Sequence, residues 1–347
     1  MGSFNWLTRR ISSAPIAVHF GSDVVRFMQI KGSSEPKIQG AFEVSVNDVA
    51  GMAVALSSFK GKRCVACLSA KDVLVQHIRV EVDEDEQKIR ERLLQHDARW
   101  ANAEIRNVCV KTTGSGSNSK QELLCVGIDR TLSLNIVENL EAAGAEVIAV
   151  TVPLYASIRA FDKLYRREGD EKITSMLIDM DEQSSMVMIA HGANCVFAHR
   201  LDTQVFSKST NTSNQWISEA ETTAGPAALP ISTRDTKEFE RRNEESPRGL
   251  QGMQASSDRV ETPLTSELER CLRHHDALFP DRVVDRVIFT GRGATNTEYC
   301  SSIATELGIS GFVADPAEWL NDDSDLAGGP SWTTAAGLCL RYSENAA

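Results

Sequence analysis

One strand–turn–strand unit occurs twice in this chain. Near the start, Ile16 to Lys31 reads IAVHF, a GSD turn, then VVRFMQIK. In the middle, Ile173 to Arg200 reads ITSMLIDMDEQSSMVMIAHGANCVFAHR. Laid over each other without a gap, His19 falls on Asp179, Gly21 on Asp181 and Gly32 on Gly192. A repeated supersecondary unit constrains the fold more than any single motif, because each copy must bury an equivalent apolar face. The expectation is a duplicated domain, with a cleft between two lobes where the first turns of the copies face each other.

Around the two copies, β-rich and helix-like runs alternate, which indicates α/β architecture. Asn47 reads as the N-cap of a helix to about Phe59. Residues 83–100 form an amphipathic run with an acidic first turn, which suits the helix dipole. A helix over 131–143 closes at Gly144, and Pro153 opens another that runs to about Arg167. Residues 105–113 and 121–129 read as an antiparallel pair across the flexible GSGSNSK loop. A helix is possible around Trp216. Residues 221–261 then carry almost no large apolar side chains, so 202–261 reads as a polar, disordered insertion. Order resumes with a helix at 263–278, a buried strand at 283–290, a helix at 296–307 and a final helix at 333–340.

Composition narrows the function classes. A formal net charge of −11 argues against a general nucleic-acid binder, which needs a basic face. The eight cysteines are scattered, mostly in apolar runs, which suits reduced thiols rather than a disulfide framework. Cys64 and Cys67 form a lone C-x-x-C inside a strand-like run, and core packing outweighs a zinc role there. No apolar run is long enough to span a bilayer. Residues 1–13 lack the pattern of a secretory signal and read as a flexible tail. His274 and His275, adjacent on a helix, do not converge on one metal. Nothing resembles a Ser-His-Asp constellation.

Three turns have the make-up of a phosphate or metal site. In the first, Gly21, Ser22 and Asp23 follow a strand, where backbone N–H groups and a hydroxyl can face a phosphate. In the second, Asp179 ends a strand and could hold Mg²⁺, while Gln183 and Ser184 complete the turn. In the third, Gly291, Gly293 and Ala294 follow a buried strand, where glycines admit a ligand close to the backbone. Each turn has a bland alternative as strand-end punctuation.

Together, the order and spacing of these stretches resemble the actin-like ATPase superfamily. The likeness is closest to PilM-type pilus assembly proteins, with FtsA and the cytoplasmic domains of type II secretion L proteins as further relatives. It rests on IAVHFGSDVVRFMQIK, on the 173–200 stretch, and on LLCVGIDRTLSLNIVENLEAAGAEVIAVTVPLYASIRAF. The remaining carriers are VVDRVIFTGRGATNTEYCSSIATELGI and the final TTAAGLCLR helix. The resemblance implies a duplicated actin-like (ribonuclease H-like) α/β fold, two lobes around a cleft, with a small inserted α+β subdomain. The implied division is 14–40 plus 145–172 for the first lobe, 41–144 for the inserted subdomain, and 173–201 plus 262–347 for the second lobe.

Departures from the family pattern fall at the site. The first-turn aspartate that supports Mg²⁺ is His19 here, and the following lysine is Arg26. The glycine after the second-turn aspartate is Asp181, and the second glycine of the third turn is Arg292. The glycine pair after the strand ending at Arg200 is missing. Carboxylates at Asp181 and Glu182 would repel a polyphosphate unless a metal lies between them. The resemblance with these departures thus implies an ATP and Mg²⁺ site that has decayed, or that binds weakly and hydrolyses little, in a cytoplasmic scaffold for a type IV pilus or type II secretion-like machine at the inner membrane. The implied partner is the short cytoplasmic tail of a PilN-like bitopic inner-membrane protein, docking between 14–40 and 41–150. Self-association, as in other actin relatives, is a further expectation. The competing reading is an active Mg-ATPase or sugar-kinase-like enzyme, but no general base or sugar pocket is legible.

Overall fold

The computed structural model describes residues 14–32, 36–115, 119–166, 169–202, 250–253, 263–320 and 327–343. The 1–13 tail, the possible helix around Trp216 and most of 202–261 lie outside them. The chain forms β1 (Ile16–Phe20), β2 (Val24–Lys31), β3 (Lys37–Ser45), α1 (Val49–Ser57), β4 (Arg63–Cys67) and β5 (Val73–Glu81). Then come α2 (Glu86–His96), β6 (Ala103–Thr113), β7 (Lys120–Asp129), α3 (Arg130–Ala142), β8 (Glu146–Thr151) and α4 (Pro153–Ala160). The second half holds β9 (Thr174–Met180), β10 (Ser185–His191), β11 (Asn194–Leu201), β12 (Leu250–Gly252) and α5 (Pro263–Leu278). It ends with β13 (Arg286–Thr290), α6 (Thr297–Leu307), β14 (Ser310–Ala314), α7 (Pro316–Leu320) and α8 (Thr333–Ser343).

The duplication is present strand for strand. One sheet runs β3-β2-β1-β4-β8, and the other β11-β10-β9-β13-β14 with β12 added at its edge. Even the hairpin registers coincide. His19 pairs with Arg26 and Ala17 with Met28; in the second copy Asp179 pairs with Met186 and Leu177 with Met188. Both copies end in a left-handed glycine, Gly32 and Gly192. The first strand of each copy is almost wholly buried, because helices cover both faces of each sheet.

Two helices exchange lobes. α4 follows the first sheet in sequence but packs on β10 and β11, while α8 follows the second sheet and packs on β1 and β2. They also pack on each other, so a single apolar core joins both lobes through residues such as Met28, Leu177, Ala160 and Ala335. The outer faces are covered by α1 and α3 on the first sheet and by α5 and α6 on the second.

Sheet pairing moves a domain boundary. β3 and β4 belong to the first sheet, and α3 packs on that sheet's outer face. A boundary at residue 41 would cut β3 in two. The inserted unit is β5, α2, β6 and β7, a separate sheet of order β5-β7-β6 with its own core around Leu93 and Trp100. Local corrections are smaller. Asp48, not Asn47, caps α1, accepting from the Gly51 N–H at 2.8 Å. The expected 83–100 helix stops at His96, where Asp97 turns extended and caps a short 3₁₀ turn. Within the segment expected to be disordered, β12 pairs antiparallel with β14, and Met253 is buried behind it.

Candidate functional site

The three turns meet. At the centre, Asp179 is the penultimate residue of β9, with its side chain buried. Its Oδ2 accepts from the Thr334 hydroxyl at 3.1 Å and lies 3.4 Å from the Ser157 hydroxyl. Those two hydroxyls are 3.1 Å apart and belong to α8 and α4, the exchanged helices. Gly291 closes the other side with φ of 81°; a Cβ there would lie 2.5 Å from Asp179 Oδ1 and 2.5 Å from the Met180 carbonyl. Only glycine tolerates both that backbone and that approach. Burial raises the Asp179 pKa to about 6, with the nearby Asp181 charge adding to the effect.

The first turn touches the second directly. The Ser22 backbone N–H and the Ser22 hydroxyl both donate to Asp181 Oδ2, at 3.0 and 2.8 Å. Asp181 Oδ1 accepts from the Glu182 N–H at 2.9 Å. Glu182 in turn pairs with Arg292 of the third turn at 2.8 Å. A hydrogen bond with Asp23, with burial adding, lifts Glu182 to about 7 against the pull of Arg292.

The remaining candidates have structural neighbours. Gly21 closes its turn, its N–H donating to the Val24 carbonyl at 2.8 Å. Arg26 is buried on β2, paired with Glu43 at 2.9 Å and 6.0 Å from the Trp332 ring centre. Gln183 accepts from Lys71 at 3.3 Å. Ala294 is buried, and the Gly293 carbonyl accepts from the Asn296 N–H at 3.2 Å in the turn before α6. Ser184 is wholly buried with a hydroxyl that has no protein partner. His19 is held neutral, its pKa pushed down to about 4 by burial first and Arg26 second.

This arrangement does not fit a Mg²⁺-bound nucleotide. Two donors that the first turn would offer a phosphate, the Ser22 N–H and hydroxyl, are engaged by Asp181, and the Gly21 N–H is engaged by the Val24 carbonyl. The Asp179 carboxylate is bonded to two helices and walled by Gly291 and Met180. Among the described residues no cluster of His, Cys, Asp or Glu has the placement of a metal site. Cys64 and Cys67 are free buried thiols, both pushed upward by burial.

A second concave feature lies elsewhere. A groove of about 1000 Å³ runs between the inserted sheet and the first lobe, lined by β6 and β7 on one side and by α3, β8 and α4 on the other. Its wall includes the exposed apolar side chains of Val108 and Leu134, the Tyr155 ring, and Arg106, Arg130 and Arg159. β6 is an edge strand of its sheet. None of the lining comes from 14–40, the segment expected to frame a docking site; the first-lobe wall comes from 130–159 instead. Two exposed apolar residues, Val108 in a strand pattern and Leu134 in a helix pattern, were the only local signal for this groove. Ser157 and Thr334 gave none, because each is an ordinary helix residue until the two helices cross.

No protein-family model matches this chain, and no curated protein matches it by sequence. Among solved structures, a chain of the PilM-PilN type IV pilus biogenesis complex is similar over 95% of this chain and 98% of that one, at 13% identity and a TM-score of 0.65. A Bacteroides thetaiotaomicron protein with an actin-like ATPase fold aligns over 85% of this chain and 89% of that one, at 12% identity and a TM-score of 0.44. The cytoplasmic domain of EpsL, an inner-membrane component of the Vibrio cholerae type II secretion system, aligns over 57% of this chain and 75% of its own length, at 13% identity and a TM-score of 0.37. Duplicated sheets, exchanged helices and the small inserted sheet give this chain an actin-like α/β fold, similar over nearly its whole length to a chain of the PilM-PilN complex.

Proposed function

We propose that this protein is a scaffold for a type IV pilus or type II secretion-like machine, cytoplasmic and peripheral at the inner membrane, with ATP binding weak or lost. Its groove takes the short cytoplasmic tail of a PilN-like bitopic membrane protein. The groove carries this reading: it has an open strand edge on β6, exposed apolar side chains and an excess of arginine. An extended peptide can add to a strand edge while alternate side chains enter the apolar wall. The arginines favour a tail that carries carboxylates. The fold likeness to a chain of the PilM-PilN complex supports the same assignment, and the engaged state of the three turns supports the weak-nucleotide part.

A labelled peptide of the PilN-like tail from the same organism is expected to bind the full-length protein. Leu134→Asp or Val108→Asp places a charge on the apolar wall and is expected to weaken binding roughly thirtyfold or more, a loss of ~2 kcal/mol. Both positions are exposed, so stability should change by less than about 0.5 kcal/mol. Fluorescence anisotropy with thermal melts separates the two effects. Undiminished binding in both variants would remove the groove from the account.

A further inference from the structure

We infer that Asp181 is a built-in occupant of the first turn: its carboxylate sits on the donors a phosphate would use and latches the two lobes together without a ligand. The inference rests on the reading that this cleft does not take nucleotide, and it supplies a cause.

The contact has the chemistry of anion binding. One carboxylate oxygen receives both a backbone N–H and a hydroxyl from the same residue, Ser22. A strand-end turn presents that pair to a phosphate oxygen. Charge-assisted bonds of this kind are stronger than neutral ones. The other Asp181 oxygen is held by the Glu182 N–H, so the carboxylate is oriented from both ends. The Asp181 N–H meanwhile donates to the Ser184 carbonyl at 3.0 Å, which fixes the turn it stands on.

Duplication shows why this position can reach across. Gly21 and Asp181 are equivalent tips of the two hairpins. The first copy has no side chain there, and the second copy has one just long enough to bridge. Next to it, Glu182 contacts Asp23 of the first turn and Arg292 of the third. Residues 181 and 182 therefore join all three turns. An incoming polyphosphate would have to displace Asp181 while facing Asp23 and Glu182, so the latch excludes anions as well as replacing them.

The test uses full-length protein and two readouts. Hydrogen exchange at the Ser22 amide reports the latch, and calorimetric titration with pyrophosphate reports the vacated donors. In the wild type the amide is expected to be protected and pyrophosphate not to bind. In Asp181→Gly the amide should exchange roughly ten- to hundredfold faster, the range for losing a hydrogen bond to a charged acceptor. Millimolar pyrophosphate should bind that variant and restore protection. Asp181→Ser, too short to bridge but able to keep the local turn, gives the same test if the glycine variant folds poorly. Unchanged Ser22 exchange in either variant overturns the proposal, as does equal pyrophosphate binding by wild type and variant. Tight Mg-ATP binding by the wild type would instead sink the weak-nucleotide reading, and the tail-peptide titration tests the groove independently.

Discussion

Gly337→Ala is expected to destabilise the protein by about 3 kcal/mol, although helix propensity alone argues the other way. Alanine is favoured over glycine in a helix interior by about 1 kcal/mol. At this position α8 crosses α4 so closely that a Cβ would sit 2.0 Å from the Ala156 carbonyl oxygen, 2.8 Å from its carbon and 3.1 Å from the Ala160 nitrogen. All three are backbone atoms, which cannot rotate away. Overpacking typically costs ~1–3 kcal/mol, and a backbone clash belongs at the upper end or beyond. Relief requires the helices to move apart, and each rests on the other lobe's sheet. Asp179 would feel the movement directly, because Ser157 and Thr334 lie on those helices. The melting temperature should fall by roughly 5–10 °C. Gly328→Ala is the control: nothing lies within 4 Å of a Cβ there, and its effect should stay within about 0.5 kcal/mol. A stabilised Gly337→Ala would mean that the helices do not cross this closely.

Acidification is expected to loosen the inserted unit from the second lobe through His77. The His77 ring on β5 stacks on Phe197 of β11 at 4.9 Å, with His274 of α5 edge-on at 5.7 Å. The Ala198 N–H donates to His77 Nε2 at 3.3 Å, which requires that nitrogen to be unprotonated. Burial, and after it the neighbouring His274, pushes the His77 pKa down to about 4. A histidine with a depressed folded pKa adds stability that is fully present above its unfolded value and is lost as pH falls toward the folded value. The window therefore runs from about pH 6.5 down to about pH 4, and up to ~3 kcal/mol is at stake. His19 acts in the same direction. Asp179 and Glu182, both raised, act oppositely, because their protonation on acidification favours the fold. Burial also lowers His191, His199 and His275, which act in the same direction as His77, so the His77 share is read as a difference between variant and wild type. His77→Gln should be less stable than wild type by ~1 kcal/mol at about pH 7.5, from lost stacking. At about pH 4.5 it should be equal or more stable. Urea midpoints at both pH values test this, and parallel curves would show that His77 does not stay neutral in the fold. The junction also holds Arg200 on β11, whose guanidinium donates to the Lys71 and Val73 carbonyls at 2.7 and 2.9 Å, so acid should weaken it without abolishing it.

The amino-acid order by itself determined the duplication. The gapless match of His19 to Asp179 and Gly32 to Gly192 becomes identical hairpin register, because side-chain alternation and turn length are local properties that a short stretch fully encodes. The turn residues were equally legible, since glycine and a carboxylate at a strand end carry their own chemistry. Which sheet β4 joins was not legible, because a short, almost wholly apolar strand does not name its partner. Nor did β12 stand out, since its ladder lies on β14, far along the chain. At the site, Asp181 read locally as a charge that repels phosphate. Only the tertiary structure brought Ser22 within 2.8 Å and made the same carboxylate a latch. The groove and the Asp179 cage likewise depend on how helices cross and how the inserted sheet leans on the first lobe. Those distances are set by long-range packing of one shared core, which no local pattern contains.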